Sequence, residues 1–188
     1  MKNTFRILAL AAMMVAASGI QAQKTFPAGI RMEVAESGRD NAQYTIFTYM
    51  DSDSTFGYYL SLGGTSEIFS MSGGNTNFSI ADTRETCLWL GFTADEAFAM
   101  LDTLLSLYDK EVGTIVEFES RTTGGAEGLT DRTVTPCVVE KKLLGGKRLL
   151  FTFTSGRRQC GVYLTKSVIK ELRFGLKTSR KLNPKLHR

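Results

Sequence analysis

One histidine and three cysteines are spread over 188 residues, and each shortage removes a class of chemistry. The only imidazole, His187, is the penultimate residue. Ser-His-Asp and Cys-His catalysis and His-based metal sites all need an oriented imidazole, so none is expected. Cys87, Cys137 and Cys160 stand 50 and 23 residues apart with no CxxC, which excludes a disulfide-dense scaffold. One bridge with a thiol left over, or three buried thiols, both fit that count. Gly145-Gly146-Lys147-Arg148 lacks the upstream Gly and the Ser/Thr after Lys that a phosphate-binding loop requires, and reads as a turn. Asp51-Ser52-Asp53-Ser54-Thr55 imitates the start of a calcium loop, but Phe56 stands where Gly is needed and Leu62 where Glu is needed. It reads as a solvated hairpin. No catalytic residue, metal or cofactor is assigned. Carboxylate acid–base chemistry is the enzymatic class the composition leaves open: Glu117 and Glu119 share one strand face, and a carboxylate-dependent hydrolase stands as an alternative.

Long apolar runs are also scarce. Ile7 to Val15 is one, preceded by Lys2 and Arg6 and followed by Ala16-Ala17-Ser18-Gly19 and Ile20-Gln21-Ala22. That layout reads as a cleavable export signal over 1–22, too short to span a bilayer. No Cys follows it to carry a lipid. The sequence thus predicts a periplasmic or secreted mature domain, 23–188, of a size that buries a core without staples.

Charge is unevenly placed. Gln23 to Glu140 holds 7 Lys/Arg against 18 Asp/Glu, a net of −11; Lys141 to Arg188 holds 14 Lys/Arg against Glu171 alone, a net of +13. Such a split points to an acidic partner, an anionic surface, or contact between the two halves, within a chain or between chains.

Alternating β-branched and aromatic residues predict strands at 29–36, 43–50, 56–62, 67–71 and 85–91. Thr93-Ala94-Asp95-Glu96 is a capping box, and Ala97, Met100, Leu101, Leu104, Leu105 and Tyr108 then recur at helical spacing to about Asp109. Strands follow at 112–121, 133–143, 148–154 and 159–164. Thr165 caps a second helix with Val168, Ile169, Leu172 and Leu176 on one stripe, stopped at Asn183-Pro184. The expected fold is α+β: two β-β-β-β-α repeats, about 43–110 and 112–180, each an antiparallel sheet packed on one amphipathic helix, with 181–188 a frayed tail.

That order of elements, with Val162-Tyr163-Leu164-Thr165-Lys166 running from strand into capped helix, resembles the Whirly and PUR single-stranded-nucleic-acid-binding proteins. The resemblance implies a shared topology over 43–180 and is confined to fold. The Lys-Gly-Lys-type segment of Whirly proteins is absent; the matching strand reads Phe56-Gly57-Tyr58-Tyr59-Leu60-Ser61-Leu62, without a cation. No binding residue carries over, and the export signal argues against intracellular nucleic acid as partner.

The strand aromatics Tyr44, Phe47, Tyr49, Phe56, Tyr58 and Tyr59 read as core packing on one sheet face and sheet propensity on the other, or, with bases nearby, as platforms for nucleotides or sugars. The most specific functional pattern is basic. Lys166, Lys170, Arg173, Lys177, Arg180 and Lys181 recur every three or four residues opposite the apolar stripe and, with Arg157 and Arg158, would make a polyanion-binding face. Outside the cytoplasm the expected polyanion is lipopolysaccharide, an acidic glycan, an anionic surface of lipid headgroups or extracellular DNA. The expected function is a non-catalytic binding or interaction module; the alternatives are a structural or self-associating envelope protein, a Whirly- or PUR-like single-stranded nucleic-acid binder, and the carboxylate-dependent hydrolase.

Overall fold

Alternation of apolar and polar residues yields eight strands: β1 (Arg31–Arg39), β2 (Ala42–Met50), β3 (Phe56–Gly73), β4 (Thr76–Gly91), β5 (Ile115–Gly124), β6 (Leu129–Lys141), β7 (Lys147–Ser155) and β8 (Arg158–Leu164). Helix α1 (Ala94–Ser106) follows β4 and helix α2 (Lys166–Leu182) follows β8. The structure, a computed structural model, describes residues 29, 31–39, 42–51, 55–73, 76–124, 129–143, 145–155 and 158–187; the expected export signal lies outside them. None of the helices described is long and apolar enough to cross a membrane.

The eight strands form one antiparallel sheet in chain order, which corrects the expectation of two sheets, each on its own helix. Where a seam between repeats was expected there is a strand pair, Arg84–Leu88 of β4 against Gly124–Ser120 of β5. The reason is backbone satisfaction. Two separate sheets would expose two further rows of N–H and C=O groups, whereas one sheet leaves only β1 and β8 as edges. The helices also cross between halves. α1 lies on β4, but α2, the last helix, lies mainly on β1 and touches α1. Gly175 permits this approach, because a Cβ there would stand 3.0 Å from the Cβ of Ala35. The Tyr44 hydroxyl on β2 donates to the Tyr163 carbonyl on β8 at 2.8 Å, so the sheet curls into a half-barrel whose mouth the helices cover.

One face of the sheet holds the core. Ile46, Tyr58, Leu60, Leu88, Leu149, Phe151 and Leu164 are buried there against Leu101 and Leu104 of α1 and Ile169, Leu172 and Leu176 of α2. At about 25 cal/mol per Å² of apolar area, that burial is the main force setting the helices on the sheet. Two bulges tune which side chains join it. In β1, Arg31 and Glu33 stand opposite Tyr49 and Phe47; a register shift then brings Ala35 and Ser37 opposite Ile46 and Tyr44. The shift moves β1 from one face to the other within its length. In β3 a shift between Ser61 and Gly64, with Gly63 at φ +78°, lets one strand run through the two expected at 56–62 and 67–71. The capping box forms: the Thr93 hydroxyl accepts from the Glu96 N–H at 3.2 Å, and the Glu96 carboxylate accepts from the Phe92 N–H at 2.6 Å.

The chain end departs from the frayed tail expected of it. A short 3-10 turn, Pro184–Leu186, carries His187 back onto the sheet. Its ring stacks on Tyr58, centroids 5.9 Å apart, with Nδ1 3.1 Å from the Tyr58 hydroxyl and Nε2 3.0 Å from the Ser179 hydroxyl.

Candidate functional site

Helix α2 starts at Thr165, whose hydroxyl accepts from the Val168 N–H at 3.4 Å. Its buried stripe is Val168, Ile169, Leu172 and Leu176, as the spacing predicts. The flank facing α1 carries two of the expected anion-binding cations, and both are engaged within the chain. Arg173 forks onto Asp102, Nε to Oδ1 at 2.7 Å and Nη2 to Oδ2 at 3.1 Å. Arg180 forks onto Asp95 at 2.5 and 3.3 Å. Hydrogen bonding and charge from Arg180 hold the Asp95 carboxyl below its usual range, and the carboxylates raise both guanidinium groups further. These forks are exposed, so they fix how the helices face each other more than they add stability. Through them the acidic and basic segments of the sequence meet inside one chain. Glu171, the only acid of α2, accepts from the Ser37 hydroxyl of β1 at 2.7 Å.

The outward side of α2 is different. Lys166, Lys170, Lys177 and Lys181 are exposed, and among the described residues none forms an ion pair. Lys166 Nζ lies 5.7 Å from the centre of the Tyr108 ring. Between them stands Phe174, 72% exposed, and Leu182 at the helix end is 69% exposed. Phe174 follows Lys170 by four residues and precedes Lys177 by three and Lys181 by seven, so these four share one face. Arg157 lies outside the described residues; Arg158 opens β8, its side chain also outside them. The structure therefore joins Lys166, Lys170, Lys177 and Lys181 in one patch and removes Arg173 and Arg180 from it. Sequence reasoning missed Phe174, although the signal was present: it sits two residues after Leu172, off the buried stripe.

The sheet face away from the helices carries a second cluster. Phe47, Tyr49, Tyr59 and Cys87 are buried there with Trp89 and Leu129 packed on them. Phe47 stacks on Tyr59 at 5.6 Å, and Tyr59 meets Trp89 edge-on at 5.0 Å. Tyr44, Phe56 and Tyr58 go to the core instead. Cations cover the rings: the Arg31 guanidinium lies 4.0 Å from the Phe47 centroid, and that of Arg132 lies 5.7 Å from Trp89. Each cation also has an acid. Arg31 donates to Glu85 at 2.7 Å, Arg121 to Asp51 at 2.5 Å, and Arg132 pairs with Glu119 at 3.1 Å. Burial pushes the Tyr59 phenol up to about 12. A shallow cleft of about 420 Å³ opens beside Arg31, lined also by Glu33, Thr45, Ser61, Gly63 and Glu85. The Ser61 hydroxyl donates to Glu85 at 3.0 Å. Arg31 is the only cation in that lining, against the two carboxylates Glu33 and Glu85, so the cleft is net acidic and does not suit an anionic ligand.

The remaining reactive groups are quiet. All three cysteines are free thiols; Cys87 and Cys137 are buried, and burial pushes both up to about 12. Thiols so poorly ionised are weak nucleophiles. Among the described residues no three His, Cys, Asp or Glu side chains converge as metal ligands. Glu117 is exposed on β5 and its strand neighbour Glu119 is tied to Arg132. Burial, then the charge of Arg180, lower the His187 pKa from its ordinary value of 6.5.

No family model, no curated protein and no solved structure matches this chain.

Proposed function

We propose that the protein is an exported binding module, periplasmic or secreted, that attaches to polyanions through the outward face of α2. Lys166, Lys170, Lys177 and Lys181 carry the contact. The supporting observation is the division of labour along one helix: the arginines bond α1, while the lysines stay exposed without a carboxylate among the described residues. Four ammonium groups on one rigid face, most of them within about a Debye length of 8–10 Å of the next, act together on an extended anion. Flexible, hydrated lysines suit a partner whose charges have no fixed geometry.

A salt titration of the exported protein against heparin tests this reading. Heparin binding should weaken as salt rises, since counterions are released on contact. At roughly 1 kcal/mol for each lysine near an anionic surface, Lys170→Glu, Lys177→Glu and Lys181→Glu together should weaken binding about a hundredfold or more. Binding that ignores salt, or survives this triple substitution, would sink the proposal. The same preparation, its N-terminus read by mass spectrometry, shows whether 1–22 is removed.

A further inference from the structure

We infer that the polyanion is an anionic lipid surface, with α2 lying flat on it and Phe174 entering the headgroup region. This inference rests on the polyanion reading and narrows it to one partner. Lysines alone would suit any polyanion, so the discriminating observation is apolar. Phe174 is 72% exposed and sits amid Lys170, Lys177 and Lys181 rather than beside the core; Leu182, two turns further on, is 69% exposed. A sulfated or uronic glycan offers a phenyl ring nothing to enter. A membrane interface offers both partners at once: phosphates for the ammonium groups, and the acyl boundary a few ångströms deeper for the ring. Single-stranded nucleic acid could stack a base on Phe174, but such binding uses aromatic platforms for successive bases, and this face offers one ring. The lysine stems also fit the surface, because they can lie along apolar material while their heads reach back to phosphate.

The way α2 is held shapes the binding. Its apolar stripe, Val168, Ile169, Leu172 and Leu176, is already buried on the sheet, so it is not available to a bilayer. The helix is formed before contact, so no backbone ordering opposes docking. Over 17 residues it offers a face about 25 Å long. Docking is therefore shallow and reversible, anchored by one ring and steered by four cations, and it needs both.

The experiment is vesicle co-sedimentation of the protein as recovered from its native compartment. The probes are phosphatidylcholine vesicles and 1:1 phosphatidylcholine–phosphatidylglycerol vesicles, with heparin and a single-stranded oligonucleotide in parallel. The chain should bind the mixed vesicles at low salt and leave the zwitterionic ones free. Phe174→Ala should weaken vesicle binding about tenfold and leave heparin binding unchanged, whereas Lys170→Glu with Lys177→Glu should weaken both. Phe174→Trp should be quenched by lipids brominated high on the acyl chain, beyond any quenching of Trp89 in the parent. An unchanged melting curve for each variant shows that the fold persists, as expected for exposed positions. If Phe174→Ala leaves vesicle binding intact while the lysine variant loses both, the lipid inference falls and the polyanion reading stands. If Phe174→Ala weakens only oligonucleotide binding, the partner is a nucleic acid and the lipid inference falls. If neither vesicles nor heparin bind, both readings fall.

Discussion

Gly57→Ala adds one methyl group at the most crowded of the described glycines. A Cβ on Gly57 would stand 2.0 Å from Cζ3 and 2.5 Å from Cη2 of Trp89, far inside van der Waals contact, so the indole must move. That ring is itself held at 5.0 Å from Tyr59 and 4.7 Å from Phe92, and its displacement loosens both pairs. Overpacking of this kind costs about 1–3 kcal/mol. Against it stands a gain of about 0.4–1 kcal/mol from the less flexible unfolded chain, since Gly57 is not in the left-handed region. The net expectation is a loss of about 1–2 kcal/mol, or a melting midpoint lower by about 2–8 °C for a domain of this size. Trp89 is the only tryptophan, so its emission reports the site alone and should shift to the red before unfolding. Denaturant titrations followed by fluorescence and by far-ultraviolet circular dichroism give the stability. Trp89→Leu supplies the control: with the ring gone, Gly57→Ala should be neutral or slightly stabilising, judged by dichroism. A Gly57→Ala protein as stable as the parent, with unshifted emission, would show that the indole does not lie over Gly57.

The docked chain end makes stability depend on pH. His187 has its pKa lowered in the fold, so the unfolded chain binds more protons and stability rises with pH. The contribution is complete above the ordinary value of 6.5 and is lost as pH falls from there through the lower folded value; His187→Ala should flatten that slope in midpoints measured from pH 7.5 to 5. The thiols give a third expectation. With Cys87 and Cys137 buried and Cys160 half-buried, a thiol reagent should label Cys160 first, and the other two only at the rate of unfolding. Early labelling of Cys87 or Cys137, located by peptide mapping, would contradict their burial.

What the sequence made legible was local. The capping box at Thr93 and Glu96 and the stripe from Val168 to Leu176 are short-range patterns with one cheap solution, and both form. The joining of β4 to β5 was hidden because nothing in either strand names its neighbour; register is decided by which edges would otherwise stay unpaired. Likewise the periodicity of basic residues showed where cations recur but not which face acids. Arg173 and Arg180 share the basic periodicity with Lys170 and Lys177 but point at Asp102 and Asp95, contacts 71 and 85 residues away. His187 was set aside for its place at the chain end, yet the partners that hold it, Tyr58 and Ser179, are nonlocal or invisible to periodicity.

The seating of α2 on β1 has a consequence in time. Ser37 waits for Glu171, 134 positions later, and Ala35 for Gly175. A chain that emerges N-terminus first, from a ribosome or a translocation channel, therefore presents β1 with its covering helix still missing. Pairing of β1 with β2 can begin, but its helix-side face stays wet until the last turns arrive. Completion of the fold therefore waits on α2, and β1 stays uncovered for as long as that helix is held back.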